Sequence, residues 1–308
     1  MISTEDLEFL TVVSGCRTLA EAARALNVSP PSVTLRLQHI ESKLSVSLIQ
    51  RPSRVVSLTE EGKLLVDKGL VILRHIDELE EQLSSIKNTV TGKLRVLAPL
   101  GFGNEYVAHL LAEYKIKHQK LDIELELSDQ PNWSTHHKWD IIIYIGVLKD
   151  SSLKMITLAN NDRFICASPV YIEKYGEPKH PRDLLNHACI ALRENNEDVT
   201  LWEFENNKGE HTTVRINPCL SCNEGRVVKD WAEAGLGIIM RSEWDVTPEL
   251  RSGSLVRLLP DYKLPSADIV ALVSSSEAER SARVSGFIEI LKESLTKYPW
   301  KNGVAGCQ

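Results

Sequence analysis

The chain has 308 residues, of which 43% are apolar and 25% charged, and its formal net charge is −6. This composition is typical of a globular protein of two or three domains and excludes collagen-like and low-complexity chains. No apolar run approaches the ~20 residues that a membrane-spanning helix needs. Glu5 and Asp6 stand where a secretion signal would carry positive charge, so we expect a cytoplasmic protein.

Six cysteines are too sparse for a disulfide scaffold. Cys219 and Cys222 have C-x-x-C spacing, but no second pair of Cys or His residues completes a zinc site. We interpret them as packing residues, and His136 with His137 as part of a polar loop. The sequence therefore predicts no metal and no cofactor.

The first predicted elements are two short amphipathic helices in the segment 18–44. Thr18 and Glu21 predict a capping box at the start of the first helix, and Asn27 suits a left-handed residue at its end. The apolar residues that share one face of this helix are Leu19, Ala22, Ala23 and Leu26.

The second helix begins at two consecutive prolines, Pro30 and Pro31. Ser29 is a good N-cap, and it places both prolines where a helix has no internal acceptor for their N–H groups. The apolar residues on one face of this helix are Val33, Leu37, Ile40 and Leu44. Two such helices joined by a short turn predict a helix-turn-helix, although an αα-hairpin inside a helical bundle has the same pattern.

In a DNA-binding helix-turn-helix, the N-terminal residues of the second helix face the bases of the major groove. The candidate DNA contacts on this helix are Ser29, Pro31, Ser32, Thr34, Arg36 and Gln38. The segment 46–62, "VSLIQRPSRVVSLTEEG", predicts a wing hairpin whose Arg51 and Arg54 contact phosphate. Residues 15–56 hold six basic residues against two acidic ones, which also favours DNA.

A long third helix is predicted from the cap Thr59 to about Asn88. Its apolar positions alternate spacings of four and three, which is typical of a coiled-coil seam. These positions are Ile72, Ile76, Leu79, Leu83, Ile86 and Val90. We therefore expect a homodimer, the alternative being a long helix packed on its own domain.

After Thr91 and Gly92 the pattern changes to alternating strands and helices, which predicts an α/β domain. The domains expected are a winged helix-turn-helix over 1–58, a linker helix over 59–90 and a regulatory domain over 91–308. The predicted strands are 93–99, 121–127, 139–146, 163–169, 189–193, 212–223, 236–240 and 268–274. The chain is expected to cross near 165–168 and 265–268 between lobe I (about 91–164 and 268–308) and lobe II (about 165–267).

Two strand-to-helix junctions are candidates for ligand contact in such a two-lobed domain. Gly101 and Gly103 open one helix, and Asn223 with Glu224 opens another; helix N-termini suit a carboxylate, although both junctions are also ordinary turns. Arg193 ends a predicted strand and either binds a carboxylate or forms a surface ion pair. No P-loop, G-x-S-x-G, H-E-x-x-H or dinucleotide fingerprint occurs, so we expect no enzyme.

Together these motifs resemble the LysR-type transcriptional regulators. The resemblance runs through "LEFLTVV", "TLAEAARALNVSPPSVTLRLQHIESKL", "SLTEEGKLL", "ICASPVYIEKYGEPKHPRDLLNHACI" and "GLGIIMRSEWDVTPELRSGSLVRLLPDY", and so spans nearly the full chain. It implies an α/β protein overall, with a winged helix-turn-helix, a linker helix and a periplasmic-binding-protein-like effector domain. It also implies double-stranded promoter DNA as partner and a dimer or tetramer. Leu35, Ser45 and Tyr144 depart from the residues usual at their positions.

The motifs "GFG", "SCNEG" and "MRSEWDV" most resemble the subgroup of the D-malate and tartrate regulators. The resemblance implies an effector between the lobes, at Leu100, Gly101, Phe102, Gly103, Asn223 and Glu224. We expect a small dicarboxylate of the malate, tartrate or itaconate type. The alternative function is a cytosolic small-molecule-binding α/β protein with a structural helical N-terminus. A structural interaction protein that uses the coiled coil alone is a further alternative, but it leaves the basic helix-turn-helix and the wing unexplained.

Overall fold

The structure is a computed structural model that describes residues 1–50, 55–85, 90–129, 138–146, 153–193, 198–273, 281–297 and 300. The chain divides into two compact units. The first is essentially residues 1–92, and the second contains the described residues from Lys93 on, except Lys138. Within the described ranges no helix has the length and apolar character required to span a bilayer.

Four helices lie in the described residues of the first unit. They are α1 (Thr4–Ser14), α2 (Leu19–Ala25), α3 (Pro30–Leu44) and α4 (Glu60–Ser85). The predicted apolar faces of α2 and α3 pack together, since Ala22, Ala23, Val33, Leu37 and Ile40 are all buried in one core. Leu10 and Val13 of α1 and Val66 of α4 complete that core.

The turn between α2 and α3 has the predicted geometry. Ser29 is the N-cap of α3, with Pro30 and Pro31 at its first two positions, and Asn27 is left-handed with a φ of 53°. The capping box of α2 is only half formed. The Thr18 hydroxyl accepts from the Glu21 N–H, but the Glu21 carboxylate accepts from the Arg17 N–H at 2.8 Å. The two prolines therefore start α3 and leave α2 intact.

The base of the predicted wing is an antiparallel bridge between Ile49 and Leu58. The Gln50 N–H donates to the Ser57 carbonyl at 2.8 Å. Thr59 caps α4 as predicted, because its hydroxyl accepts from the Gly62 N–H at 3.0 Å. Residues 51–54, which include the predicted phosphate contacts Arg51 and Arg54, lie outside the described residues.

Three sheets lie in the part of the second unit that the structure describes. Its strands are β1 (Gly92–Ala98), β2 (Leu121–Leu127), β3 (Ile141–Ile145), β4 (Lys154–Ala159), β5 (Arg163–Ala167), β6 (Cys189–Leu192), β7 (Leu201–Asn206), β8 (His211–Arg215), β9 (Pro218–Cys222), β10 (Ile238–Ser242), β11 (Val256–Leu258), β12 (Tyr262–Lys263) and β13 (Ile269–Val273). Its helices are α5 (Leu100–Phe102), a π-helical turn (Gly103–Val107), α6 (Ala108–Lys117), α7 (Pro169–Tyr175), a 3-10 helix (Pro181–Asn186), α8 (Gly225–Glu233), α9 (Glu243–Ser252) and α10 (Ala282–Leu295).

The two larger sheets each have five strands. The sheet of lobe I has the order β2-β1-β3-β13-β4, and the sheet of lobe II has the order β11-β5-β10-β6-β9. β1 and β3 are parallel, whereas β13 runs antiparallel to β3 and β4. The third sheet, β12-β7-β8, is antiparallel. The last helix packs on lobe I, where the Tyr114 hydroxyl donates to the Arg283 carbonyl at 3.0 Å.

The chain passes between the two larger sheets at 160–162 and 264–268. The first passage lies a few residues before the segment predicted from the sequence, because residues 163–167 pair with β10 inside lobe II. Asn161 is 1% exposed and joins both passages. Its amide donates to the Ala267 carbonyl at 2.9 Å and to the Ser242 hydroxyl at 3.2 Å.

Replacing Asn161 by alanine is expected to lower the free energy of unfolding of the second unit by about 2 kcal/mol, because buried polar groups lose their partners. The groups affected are the Ala267 carbonyl and the Trp244 N–H, which donates to the Asn161 side chain at 3.4 Å. Scanning calorimetry of the full chain measures the effect. Asn186→Ala is the control, since Asn186 is exposed. Equal unfolding temperatures for the two variants would contradict this role of Asn161.

Candidate functional site

The N-terminal half of α3 presents a polar surface. Ser29, Pro31, Ser32 and Gln38 are exposed, and Thr34 is half-buried. The hydroxyls of Ser29 and Ser32 lie 2.7 Å apart, and the Thr34 hydroxyl donates to the Pro30 carbonyl at 3.2 Å. These predicted contacts therefore share one exposed stretch of helix, and their role in DNA binding stays a prediction.

Arg36, unlike the other candidates on α3, contacts residues of α1. Its guanidinium donates to the Glu5 carbonyl at 2.9 Å and lies 4.8 Å from the centre of the Phe9 ring. It is also 3.8 Å from the Asp6 carboxylate. Arg36 therefore links α3 to α1, while 44% of its side chain remains accessible.

The predicted coiled-coil seam lies along one face of α4. Ile72 is 48% exposed and Leu79 57% exposed, and Ile76 is half-buried. Leu83 and Ile86 contribute no described side chain, and Val90 lies beyond the described part of α4. An apolar stripe that is exposed in a single chain is the arrangement expected of a dimer seam.

A cavity of about 520 Å³ lies within the second unit, between the sheets of lobe I and lobe II. The segment after β1 and the residues that follow β2 and β3 line it from lobe I. The ends of β6 and β10 and the starts of α8 and α9 line it from lobe II. Its size suits a small organic molecule.

The cavity brings together four of the predicted effector contacts: Leu100, Gly101, Phe102 and Glu224. The other three do not line it. Gly103 is buried behind the wall, where an added Cβ would lie 2.3 Å from a methyl carbon of Leu127. Asn223 and Arg193 are exposed, and the Arg193 N–H donates to the Cys222 carbonyl at 2.7 Å. The participation of all seven residues in binding stays a prediction.

A network of buried charges forms the lobe II wall. The Arg241 guanidinium donates through Nε to the Asp245 carboxylate at 2.6 Å. Lys229 lies 3.2 Å from Asp245 and 2.9 Å from Glu249. Burial raises the pKa of Asp245, but the charges of Arg241 and Lys229 outweigh it and hold this pKa below its ordinary value. The pKa of Lys229 is raised by Asp245 and Glu249 against the effect of its burial, so Asp245 and Lys229 are both charged at neutral pH.

Gly225 makes room for the Arg241 guanidinium. A Cβ added to Gly225 would lie 2.3 Å from Nη2 and 3.0 Å from Cζ of Arg241. Only a residue without a side chain allows this approach. The start of α8 and the end of β10 thus hold one arginine against the cavity in a fixed orientation.

Gly225→Ala is expected to displace the Arg241 guanidinium and to weaken ligand binding about tenfold or more, since a fixed geometry is lost. Titration calorimetry on the full chain measures this change. Gly209→Ala is the control, because no heavy atom lies within 4 Å of its added Cβ, although its φ of +78° adds some backbone strain. Unchanged affinity in a folded Gly225→Ala protein would exclude the role assigned to this contact.

Aromatic side chains close the other end of the cavity. Phe102 lies 5.2 Å from Trp244, and Tyr106 lies 5.7 Å from Trp300, measured between ring centres. Burial raises the pKa of the Tyr106 hydroxyl, which therefore stays neutral. The cavity thus has a charged wall and an aromatic end, an arrangement that suits a small acid with a short carbon chain.

Carboxylates of the chain itself occupy both predicted anion sites. The Asp129 carboxylate accepts the Leu100 N–H at 2.8 Å, at the first residue of α5. Glu224 accepts the N–H groups of Arg226 and Val227 at 3.1 and 2.9 Å at the start of α8. A ligand carboxylate must therefore find its partners elsewhere on the wall, and Arg241 is the cation best placed for it.

Sequence reasoning missed the charged part of this cavity. Arg241, Lys229, Asp245 and Asp129 were not among its candidates. The available signal was "IIMRSEWD", in which Arg241 directly follows a buried apolar strand and Asp245 stands four residues later. Within the described ranges, no group of three or more His, Cys, Asp and Glu side chains is placed to hold a metal ion.

Comparison with known proteins identifies both units. Two protein-family sequence models match the chain. The family LysR substrate binding domain matches residues 87–296, and the family of bacterial regulatory helix-turn-helix proteins of the lysR family matches residues 4–63. The transcriptional regulator DmlR of Escherichia coli strain K12 is 32% identical over 293 residues, which cover 95% of this chain and 94% of that protein.

Two further comparisons agree with this result. The transcriptional activator TtdR of Escherichia coli strain UTI89 is 33% identical over 287 residues, which cover 93% of this chain and 92% of that protein. The full-length structure of the Vibrio cholerae virulence activator AphB has a TM-score of 0.60 at 22% identity and covers 94% of this chain and 98% of that one. These matches confirm the predicted fold class and the prediction that the chain is a regulator and not an enzyme. The chain belongs to the LysR family of DNA-binding transcriptional regulators, with a helix-turn-helix and a ligand-binding domain.

Proposed function

We propose that the effector of this regulator is a small dicarboxylate of the malate, tartrate or itaconate type, bound in the cavity between lobes I and II. The relatives DmlR and TtdR are regulators of D-malate and tartrate. The observation that carries the proposal is the buried Arg241, whose side chain is 8% exposed and which lines the cavity. A buried guanidinium in a cavity of this size is the group expected to bind a carboxylate.

Arg241 is already oriented before a ligand arrives. Asp245 holds its Nε atom, and Gly225 lies against Cζ and Nη2. Charge-assisted hydrogen bonds from a fixed guanidinium to a carboxylate are strong, because little side-chain entropy is lost on binding. The aromatic end, formed by Phe102, Tyr106, Trp244 and Trp300, would cover the carbon chain.

Both lobes contribute to the cavity, and this supports a regulatory role for the ligand. Leu100, Gly101 and Asp129 belong to lobe I, whereas Arg241 and Glu224 belong to lobe II. A ligand that touches both lobes favours one arrangement of them by its difference in affinity. That difference is the free energy available to change DNA binding.

We further propose that the α4 seam joins two chains, in a dimer or a tetramer, and that α3 contacts the bases. Two recognition helices in one assembly would read paired half-sites. Arg51 and Arg54 are proposed phosphate contacts in the wing. The alternative of a binding protein with a merely structural N-terminus is set aside by the match of residues 4–63 to the lysR helix-turn-helix.

Calorimetric titration of the full chain with malate, tartrate, itaconate and acetate tests the effector class. The proposal predicts saturable binding of at least one of the dicarboxylates and much weaker binding of acetate. Acetate carries one carboxylate and serves as the matched control. If a folded protein binds none of the three dicarboxylates, the proposed effector class is wrong, whereas the family assignment stands.

A further inference from the structure

Asp129 is a half-buried carboxylate in the lobe I wall of the cavity. Its Oδ1 accepts the Leu100 N–H at 2.8 Å, which fixes the side chain. Its second oxygen, Oδ2, accepts no hydrogen bond from any described part of the chain. A carboxylate oxygen that is partly removed from water and lacks a donor is an acceptor site for a ligand.

The surroundings of Asp129 define what that ligand group must be. Arg241 and Glu224 both lie close enough to influence it. Burial raises the pKa of Asp129, and the negative charge of Glu224 raises it further. The hydrogen bond from the Leu100 N–H and the positive charge of Arg241 lower the same pKa. A second carboxylate placed against Asp129 would be repelled by it and by Glu224. A neutral donor meets no such repulsion.

Two of the neighbouring carboxylates are engaged by the chain itself. The two oxygens of Glu224 accept the N–H groups of Arg226 and Val227, and Asp245 accepts from Arg241. Glu249 accepts from Lys229 through Oε1, whereas its buried Oε2 has no partner among the described residues. Glu249 belongs to lobe II, like Arg241, whereas Asp129 is the open acceptor of the lobe I wall and lies within the electrostatic reach of Arg241.

We propose that Asp129 selects effectors that carry a hydroxyl on the carbon next to a carboxylate. This inference rests on the proposed function. Arg241 binds the carboxylate, and the adjacent hydroxyl donates to Oδ2 of Asp129. The effector class narrows to 2-hydroxy dicarboxylates such as malate and tartrate. Succinate and itaconate lack this hydroxyl and leave Oδ2 of the half-buried Asp129 without a donor from the ligand.

Succinate, malate and aspartate test the proposal, because they differ in carrying hydrogen, hydroxyl or ammonium on the carbon beside one carboxylate. In calorimetric titrations of the full chain, malate is expected to bind at least about tenfold more tightly than succinate, the effect of one hydrogen bond to a charged acceptor. In Asp129→Asn this ratio is expected to fall to about three or less, since the hydroxyl then meets a neutral amide and the stronger hydrogen bond to a charged acceptor is lost.

Glu126→Gln is the matched control, because it removes one negative charge from the exposed face of β2, three residues before Asp129. It should leave the malate-to-succinate ratio unchanged. Thermal unfolding of Asp129→Asn checks that the variant is folded, and the ratio in the unmodified protein tests the proposal without any substitution.

Three results would overturn the inference while leaving a dicarboxylate effector in place. The first is equal affinity of the unmodified protein for malate and succinate. The second is a malate preference that persists in Asp129→Asn. The third is tighter binding of aspartate than of malate, which would assign the site to an ammonium group. Failure of all these acids to bind would instead remove the proposed effector class itself.

Discussion

Arg241→Met is expected to weaken binding of the effector acid by about 100-fold or more. The substitution keeps a long apolar stem but removes the cation and its charge-assisted hydrogen bonds to the ligand, each worth about 1.5–3 kcal/mol. The variant also leaves Asp245 with Lys229 as its cation, at 3.2 Å. Calorimetric titration with malate and tartrate measures the loss.

The matched control for this variant is Arg257→Met. Arg257 lies in β11 of the same lobe, with its guanidinium 4.2 Å from the centre of the Phe164 ring, and it does not line the cavity. It should retain the affinity of the unmodified protein. If Arg241→Met is folded and binds the acid as well as Arg257→Met does, Arg241 is not the carboxylate partner.

The double substitution Ile72→Glu and Leu79→Glu is expected to dissociate the oligomer. Both side chains are about half exposed in the single chain and belong to the predicted seam of α4. Four like charges brought together in a dimer interface would be buried and repel one another. The mass measured by light scattering should then fall to half that of the unmodified protein, which for a dimer is the mass of one chain, 34.6 kDa. DNA affinity should fall about 100-fold or more, because one chain contacts only one half-site.

His75→Glu is the control for the seam, since His75 is exposed on the same helix between the two substituted positions. It introduces the same negative side chain outside the apolar stripe. It should leave the oligomer intact. Dissociation by His75→Glu, or an unchanged mass for the double variant, would show that α4 does not join the chains in the predicted way.

The first unit was largely predictable from the sequence, because its signals are local. Ser29, Pro30 and Pro31 fix the start of α3 through capping and the φ angle of proline, with no need of tertiary contacts. The half-formed capping box at Thr18 is the exception. There the Glu21 carboxylate can reach either the Thr18 N–H or the Arg17 N–H, and the sequence pattern is the same for both.

In the second unit, strand pairing set the limit of the prediction. Residues 212–223 read as one strand, but the segment forms β8 and β9 in two different sheets. The strands β4, β7, β11 and β12 and the helix α9 were not predicted. In β7, Trp202 and Phe204 are buried and Glu203 and Glu205 are exposed, an alternation that "LWEFEN" shows locally and that was overlooked. The partner of β11 is different in kind, because β5 lies far away in sequence and leaves no local trace in this three-residue strand.

The cavity residues likewise include some that nearby sequence signals and others that only folding brings together. Gly101 was found because glycines before a helix are a local signal, although Gly103, found in the same way, does not line the cavity. Leu100 and Phe102, which do line it, were expected only from the family resemblance. Arg241 and Asp129 become neighbours only when the two lobes are folded together. The 111 positions between them contain many charged residues, and nothing in the sequence distinguishes this pair.

The central claim is that an acid bound in the cavity changes how the protein binds DNA. The most direct test is a gel shift with the DNA upstream of its own gene, at two salt concentrations, with and without malate, tartrate and succinate. We expect selective, salt-sensitive binding that malate or tartrate alters and that succinate alters less. Selective binding that none of the acids changes, in a protein that calorimetry shows to be saturated with malate, would contradict it.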